Sequence, residues 1–250
     1  MSEYAYRDKA RKDIIYASSA LVEDRGKIFF CPNAECGAHL YLCAVDGSTS
    51  AYFRATKQEY HHIDGCPYKS NSNNFKDELY DEEKFVFDDA IVNLFSGINE
   101  KKNSKNSGKY STGDVGKHPP RTLSQIYWMC KSRKITDIYG DKEIGDMILE
   151  GRSLYRYPKG CFGYKIIEAR TQKRFYDKDK QQIFLYSPCN ERKYSFVLQF
   201  YDEKLFKAIK DELWNNKELM FVVAGCWKSF GIYNHFVSDI TSAKQVLVIK

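Results

Sequence analysis

The chain has 250 residues, 43% of them hydrophobic, which suits one large or two small globular domains with a packed core. No stretch approaches the ~18 consecutive apolar residues of a membrane helix. The polar opening Met-Ser-Glu-Tyr-Ala-Tyr-Arg-Asp predicts no secretory signal. The formal net charge is only +6, which excludes no class of partner. We therefore expect a cytoplasmic protein without a membrane segment.

The first predicted elements are short strands arranged in hairpins. Residues 12–22 and 27–31 form the first pair, joined at Glu-Asp-Arg-Gly. Residues 39–46 and 50–55 form the second, joined at Asp-Gly-Ser-Thr, where Asp and Gly accept the positive φ of a tight turn. These strands predict a β-rich N-terminal module over residues 1–74.

An amphipathic helix is predicted next, followed by a linker. Apolar residues recur at spacings of three and four across 76–98, so a helix is expected within 75–98. Residues 99–120 are rich in Lys, Asn, Ser and Gly and end in Pro-Pro, which indicates a flexible basic linker and a domain boundary.

The region 121–250 begins with helices and continues with strands. Thr122 and Gln125 form a capping-box pattern for a helix that runs to about Cys130, and a short helix with Ile144, Met147 and Ile148 on one face follows. Strands are predicted at 161–170, 181–187 and 193–201, then an amphipathic helix at 202–216. The last predicted strands are 219–227, 232–240 and 245–249.

Cysteine and histidine spacing predicts a zinc site in the first module. The pattern is Cys-x4-Cys, then 25 residues, then His-x3-Cys, and it supplies the four soft or borderline ligands of a tetrahedral site. The predicted ligands are Cys31, Cys36, His62 and Cys66, with His61 as the alternative to His62. His39 and Cys43 are other donors in the same segment. Four protein ligands leave no open position, so we expect one structural zinc ion per chain and not a catalytic one.

The remaining cysteines, Cys130, Cys161, Cys189 and Cys226, are scattered singly and are expected to pack as small hydrophobic residues.

The same segment resembles a known family. Cys-Pro-x-x-x-Cys-Gly-x-x-Leu-Tyr-Leu, then Tyr-Phe-Arg-Ala, His and Gly-Cys, is similar to the N-terminal zinc-finger region of the competence protein CoiA-like family. The resemblance covers about residues 12–68, and it implies a nuclease-like domain and DNA handling. The sequence departs from that pattern afterwards, because Asp146 with Glu168-Ala169-Arg170 is the nearest approach to Asp and Glu-x-Lys. Arg170 stands where a lysine is expected.

The C-terminal order of three strands, a helix and two strands resembles the oligonucleotide-binding (OB) barrel. Such a barrel binds single strands through aromatic rings and Lys or Arg. The predicted fold class is therefore α+β, with an N-terminal zinc module, a helix and linker, and a C-terminal OB-like barrel with a helical lead-in. The candidate nucleic-acid-binding residues are Arg156, Tyr157, Lys165, Arg170, Lys173, Arg174, Trp227, Lys228, Phe230 and Tyr233. Trp227 and Lys228 are the preferred pair.

Three functions fit these patterns. The favoured one is a non-catalytic zinc protein that binds nucleic acid, with single-stranded or structured DNA as the expected ligand. The second is a metal-dependent nuclease, with Asp88 and Asp89 as possible metal ligands, although no catalytic residue is assigned. The third is an adaptor with a protein partner or a second copy of the chain. In that case the acidic segment 76–89 and the basic segment 152–180 could pair within the chain or between copies.

Overall fold

The computed structural model describes residues 2, 4–33, 35–45, 51–63, 66, 68–69, 75–96, 117–187 and 194–249. Within these ranges the chain combines two larger sheets and a small hairpin with a few helices, so the fold is α+β, as predicted. In the same ranges, no helix has both the length and the apolar character needed to span a membrane.

The N-terminal sheet has five short strands in the order β2-β1-β3-β4-β5. The strands are β1 Tyr4–Tyr6, β2 Ile14–Tyr16, β3 Phe29–Phe30, β4 His39–Cys43 and β5 Tyr52–Arg54. Their inward side chains form one apolar cluster that includes Phe29, Leu40 and Phe53, all at most 1% exposed. A small sheet with this little apolar area needs further stabilisation, which a metal ion can supply.

The first predicted hairpin is wrong. Strands β2 and β3 do not pair with each other, because β1 lies between them and pairs antiparallel with both. All three residues of β1 are buried, and such a short, fully buried strand has no alternation for a sequence pattern to reveal. The second predicted hairpin is confirmed, since β4 and β5 pair antiparallel with Leu42 opposite Phe53.

Helix α1 spans Phe87–Phe95 and begins later than predicted. Residues 77–79 form a single 3-10 turn. The helix begins at Phe87 because the carboxylate of Asp141 accepts a hydrogen bond from the Phe87 N–H at 2.8 Å, which caps the free end of the helix. Helix α2 spans Leu123–Ser132, and its predicted capping box between Thr122 and Gln125 is present.

Helices α1 and α2 belong to one core, although the predicted boundary separates them. Ile91 and Leu94 of α1 lie in the same buried cluster as Ile126 of α2 and Val222 of the later sheet. The predicted linker, up to residue 116, lies outside the described residues. One of the three apolar clusters formed by the described residues therefore contains residues from both sides of 99–120.

A small hairpin and a short helix connect α2 to the large sheet. The hairpin consists of β6 Ile138–Tyr139 and β7 Lys142–Glu143, and helix α3 spans Ile144–Met147. Ile148, which was predicted to be helical, instead begins β8 (Ile148–Leu149), which pairs in parallel with β9.

The large sheet contains a closed cycle of strand pairings. Strand β9 pairs antiparallel with β10 through its C-terminal half and with β12 through its N-terminal half. Strand β11 pairs antiparallel with β10 and parallel with β13, which pairs with β12. We call these five strands the strand ring. The bounds are β9 Gly163–Asp177, β10 Gln182–Tyr186, β11 Ser195–Gln199, helix α4 Glu203–Asn215, β12 Met220–Ser229, β13 His235–Asp239 and β14 Val246–Ile249.

Alternation along the strands separates the inside of the ring from its outside. Leu185, Phe196 and Phe236 lie in one buried cluster together with Phe206 and Leu213 of α4. On β12, Phe221 and Val223 belong to the same inner cluster. Val222 and Ala224, which alternate with them, lie in the cluster of α1 and α2. One part of the outer face is therefore covered by helices.

Candidate metal centre and nucleic-acid interface

Four side chains of the N-terminal module converge on one point. The ligand atoms of Cys31, Cys36, His62 and Cys66 all lie within 4.8 Å of one another, and the four residues are buried. Cys31 follows β3, and its N–H donates to the Ala38 carbonyl at 3.2 Å. The group could hold a metal ion.

The distances fit a tetrahedral metal site. The Sγ atoms of Cys31 and Cys66 are 3.6 Å apart, and Nδ1 of His62 lies 3.5 Å from Cys36 Sγ and 3.3 Å from Cys66 Sγ. A tetrahedron with Zn–S bonds of about 2.3 Å has sulfur–sulfur edges of about 3.8 Å. The cysteines are not in a disulfide, whose sulfur atoms would be about 2.05 Å apart.

Only one of the two neighbouring histidines belongs to this group. His62 is buried, and its Nδ1 faces the sulfur atoms, whereas His61 is exposed. His39 is stacked on Tyr60 with ring centroids 4.1 Å apart, and Cys43 donates to the Tyr41 carbonyl. The described donors therefore form one set of three thiols and one imidazole.

The thiols cannot all ionise without a cation. Burial raises the pKa of Cys31 well above its ordinary value. Hydrogen bonds from Cys31 and Cys66 lower the pKa of Cys36, so a single thiolate is stabilised by two thiols. A divalent ion that displaces the remaining protons removes this conflict, because zinc ligands are thiolates.

Arg11 fixes the loop that carries two of the cysteines. Its guanidinium donates to the Cys31 carbonyl at 3.0 Å, the Asn33 carbonyl at 2.9 Å and the Cys36 carbonyl at 2.8 Å. Arg11 lies in the turn between β1 and β2 with a φ of 55°. One side chain thus satisfies three carbonyl groups of the loop.

A buried charge cluster joins the N-terminal module to the rest of the chain. Lys131 of α2 forms ion pairs with Glu150 and, at 2.8 Å, with Glu168, while Arg152 forms an ion pair with Glu150. The four side chains are all at most 6% exposed. Two cations and two anions balance, which is the condition under which charges can be buried.

Two tyrosines of the N-terminal module pack against this cluster on the side of Lys131. The Lys131 ammonium lies 5.5 Å from the ring centre of Tyr4 and 5.2 Å from that of Tyr68. The two tyrosine hydroxyls are 2.6 Å apart, and Tyr127 of α2 donates to Glu168 at 2.9 Å. Tyr68 is two positions after Cys66, so the metal centre and the charge cluster are adjacent in the chain.

A cleft of about 280 Å³ lies between the N-terminal module and the strand ring. Glu150, Glu168 and Arg170 line it from the ring side. Arg170 donates to the Glu218 carbonyl and pairs with Glu35 at 3.1 Å, which adds a second link across the cleft.

The structure divides the predicted nucleic-acid-binding residues into three groups. Trp227 and Tyr157 lie in the core: Trp227 is 1% exposed and donates to the Lys165 carbonyl, and Tyr157 donates to the Gly145 carbonyl. They cannot stack on a base without unfolding, so the preference for Trp227 is corrected. Of the two neighbours on β12, Trp227 points inward and Lys228 points outward.

A second group is occupied by partners within the chain. Arg156 pairs with Glu143 at 2.6 Å and with Asp146 at 3.3 Å, and Arg170 is bound as described above. Lys165 is half-buried, and burial lowers its pKa. The third group is Lys173, Arg174, Lys228 and Tyr233, which are exposed, and Phe230, which is half-buried.

Aromatic residues that the sequence did not single out are exposed near this third group. Tyr176 of β9 is 42% exposed and Trp214 of α4 is 56% exposed. On the outer side of β10, Phe184 and Tyr186 are half-buried. The sequence pattern that could have identified Phe184 and Tyr186 as outward-facing is strand alternation, because they flank the inward Leu185.

The acidic segment 76–89 pairs elsewhere than with 152–180. Among the described residues, Asp77 and Glu82 pair with Arg133, and Asp88 pairs with Lys142 at 2.5 Å. Asp88 therefore has a lysine partner at the start of α1, where an acid also faces the positive end of the helix dipole.

The other cysteines are placed as follows. Cys130 and Cys161 are buried, as expected for small hydrophobic residues, and Cys226 is half-buried. Cys189 lies outside the described residues.

No family model matches the chain, and no curated protein or solved structure was found to match it.

Proposed function

We propose that this protein binds single-stranded nucleic acid on the outer face of its strand ring, with DNA as the first ligand to test, and that the Cys31, Cys36, His62 and Cys66 group holds one structural zinc ion. The observation that carries the proposal is the connectivity of the ring. In chain order, the first ring strand, β9, pairs with the second, β10, and with the fourth, β12. The third strand, β11, pairs with β10 and runs parallel to the fifth, β13, and helix α4 joins β11 to β12. An OB barrel has this arrangement.

The face on which a strand would bind is defined by register. Phe184 lies opposite Val197, Val197 opposite Val237, and Val237 opposite Lys228, so these residues form one row across four strands. Their neighbours Leu185, Phe196 and Phe236 point into the core, so this row lies on the outer side of the ring. Within the row Val197 is covered, at 2% exposed, while Phe184 and Val237 are half-buried and Lys228 is exposed. A second row contains Tyr186, Ser195 and His235.

These rows supply the chemistry that single strands need. Phe184 and Tyr186 offer aromatic rings on which bases can stack, and the exposed Lys228 offers a cation for a phosphate. Loops at the two ends of the face carry further candidates, including the exposed Tyr233 (86% exposed) after β12. Such a surface contacts the π-faces and the backbone and is tolerant of sequence.

Zinc is the proposed metal because three cysteines and one histidine are the ligands that zinc prefers. Three thiolates and one imidazole favour zinc over magnesium or calcium, which prefer oxygen ligands. Bound zinc would hold the loop after β3 against the segment around His62 and Cys66. This would organise the N-terminal module and supply no reactive position.

The test combines metal content with binding. Protein purified without chelator is expected to contain one zinc per chain by elemental analysis. Fluorescence anisotropy with labelled single-stranded DNA, single-stranded RNA and duplex DNA is expected to show single-strand binding that weakens steeply with salt.

Phe184→Ala with Tyr186→Ala should weaken binding about tenfold or more, whereas Tyr155→Ala, an exposed ring in the 3-10 turn after β8, should not. Salt-insensitive binding, or none, would reject the proposal.

A metal-dependent nuclease is the second candidate, and one observation favours it. Strands β8 and β9 run parallel with Leu149 opposite Ile167, so Glu150 and Glu168 follow at neighbouring positions and both line the cleft. Glu150, and not the predicted Asp146, thus lies beside Glu168-Ala169-Arg170, and Lys131 provides the lysine from α2. In this candidate a divalent ion would have to compete with Lys131 for both carboxylates.

Cleavage assays separate the two candidates. Incubation of labelled single- and double-stranded DNA with Mg²⁺ or Mn²⁺ should leave the DNA intact if the protein only binds. Metal-dependent cleavage that is lost in Glu168→Gln and kept in Glu218→Gln, an exposed acid between α4 and β12, would instead establish the nuclease.

A further inference from the structure

Strand β9 carries a large bulge where it passes helix α4. Thr171 pairs with Leu185 and Tyr176 pairs with Ile183, so residues 172–175 stand opposite Phe184 alone. A bulge of this kind changes the direction of the side chains it carries and is often found at functional sites. Here Lys173 and Arg174 are exposed on the bulge.

Helix α4 places an exposed tryptophan beside the bulge. The Trp214 ring is stacked with the buried Phe175 ring, with centroids 5.9 Å apart and planes 29° apart. The Thr171 hydroxyl donates to the Lys217 carbonyl at 3.3 Å, which ties the end of α4 to β9. The indole is thus held in place while 56% of Trp214 stays exposed.

Cations surround the exposed rings. The Lys217 ammonium lies 5.7 Å from the Trp214 ring centre, and the Lys210 ammonium lies 5.5 Å from that of Tyr176. Lys210 also pairs with Asp211 at 2.7 Å. With the bulge, these residues form a surface that we call the β9–α4 corner, which consists of Lys173, Arg174, Tyr176, Lys210, Trp214 and Lys217.

From these observations we propose that the β9–α4 corner is a second contact region for single-stranded nucleic acid, in which a base stacks on Trp214 and Lys173, Arg174 and Lys217 contact phosphates. The inference rests on the proposed function and extends it, because the corner lies beyond the Phe184 and Tyr186 rows. It predicts that a bound strand continues from the β10 face past the bulge to α4.

The exposed indole decides between nucleic acid and an acidic peptide. Both ligands offer negative charge to the lysines and the arginine, but every nucleotide also offers a planar ring for Trp214, whereas an acidic peptide offers one only where it carries an aromatic residue. Base–aromatic stacking combined with cations is the usual way in which proteins bind single strands without reading their sequence. A fixed, exposed tryptophan among cations therefore fits a nucleic acid better than a peptide.

Tryptophan fluorescence provides a direct test. The chain has three tryptophans, and Trp227 is buried while Trp128 is half-buried, so Trp214 is the one most open to a ligand. Titration with long oligothymidine is expected to quench the emission, and Trp214→Phe should remove most of that quenching. Trp214→Ala should weaken binding about fivefold or more, and Lys173→Ala with Arg174→Ala should lower the salt dependence by about two counterions.

Controls keep the outcomes distinct. Tyr155→Ala removes an exposed aromatic outside the corner and should change neither quenching nor affinity. Binding that needs Phe184 and Tyr186 but is unchanged in Trp214→Ala would overturn the corner and leave the proposed function standing. No binding by any variant or by the unmodified protein would overturn both. Equal quenching by polyglutamate would overturn the nucleic-acid assignment of the corner.

Discussion

At the scale of single residues, the most demanding environment is the one around Lys131. Burial alone would lower the pKa of its ammonium, but Glu150 and Glu168 outweigh burial and hold that pKa well above its ordinary value. Burial alone would likewise raise the pKa of Glu150, but Arg152 and Lys131 hold it below its ordinary value. The cluster is therefore stable only while its four charges stay together.

Replacing Lys131 by Met should leave Glu150 and Glu168 short of a buried cation. We expect a loss of about 3–5 kcal/mol in the free energy of unfolding, the usual cost when one partner of a buried pair is removed. Urea denaturation followed by circular dichroism measures this loss. Lys207→Met, at an exposed pair on α4, is the matched control and should cost less than about 1 kcal/mol. Similar losses in both variants would contradict the assigned role.

The same cluster predicts how stability depends on pH. The lowered pKa of Glu150 contributes stability above the unfolded value of about 4.3, and this is lost as the pH falls through the folded value. The raised pKa of Lys131 contributes stability below about 10.4, which is lost as the pH rises through the folded value. Denaturation across this range should show a plateau between these limits that falls at both ends. Burial also raises the pKa of Tyr68 and of Tyr127, so these tyrosines add to the alkaline loss, and Lys131→Met should reduce that loss without abolishing it.

Arg11 is the residue through which the metal centre can be tested without touching a ligand. Loss of its three carbonyl contacts in Arg11→Ala should lower zinc affinity about 10- to 100-fold, as for other groups that orient metal ligands. Competition with a chromophoric chelator measures the affinity. Lys12→Ala, at the exposed neighbouring position, should leave it unchanged. Equal affinities for both variants would show that the loop needs no such support.

At the scale of elements, the packing of α1 depends on the turn of the hairpin formed by β6 and β7. Gly140 lies in this turn with a φ of 62°, and a Cβ placed on it would lie 2.1 Å from the Phe85 carbonyl oxygen. The same turn contains Asp141, which caps α1. Close approach of two backbones, and not local propensity, therefore determines where α1 begins.

Gly140→Ala should be strongly destabilising for two reasons. It adds left-handed strain of about 1 kcal/mol, and it forces the hairpin away from Phe85, which should raise the total cost above about 2 kcal/mol. Gly231→Ala has the same kind of φ but open space around its Cβ, so it should show the strain alone. Thermal unfolding of the two variants separates these contributions, and equal losses would mean that the contact with Phe85 is relieved at little cost.

At the scale of the whole molecule, the metal centre and the ring are joined through Tyr68 and Tyr4. Cys66 is a predicted ligand, and Tyr68 covers the Lys131 ammonium two positions later. A bound metal ion would therefore favour the arrangement that closes the charge cluster. Among the described residues of the N-terminal module, none belongs to the apolar core of the ring.

Removing the metal should consequently loosen one part of the chain more than the other. After chelation, we expect fast amide hydrogen exchange in β1 to β5 and retained protection in β9 to β13, because structural zinc supplies folding energy to its own module. Mass spectrometry of exchanged peptides measures both. Restored zinc should restore protection. Loss of protection in β9 to β13 to the same extent would show that the two parts fold as one unit.

The sequence by itself determined the features whose residues are close along the chain. Short-spaced Cys and His pairs placed Cys31, Cys36, Cys66 and one of His61 or His62 in one group, because each pair sits on a single loop. The structure decided for His62. Local chemistry also sufficed for the α2 capping box, helix α4 and the order of the later strands, since periodicity and capping act within a few residues. The β4–β5 hairpin was predicted for the same reason.

Only the tertiary structure decided what depends on distant partners. The insertion of β1 between β2 and β3 and the burial of Trp227 follow from strand pairing and register. The meeting of Lys131 with Glu150 and Glu168 follows from the packing of helix α2. A shift of one residue would have turned Trp227 outward, and nothing within its neighbourhood in the sequence fixes that register. The exposed Trp214 beside a bulge in β9 arises in the same way, because 39 residues separate it from Phe175 and packing alone brings them together.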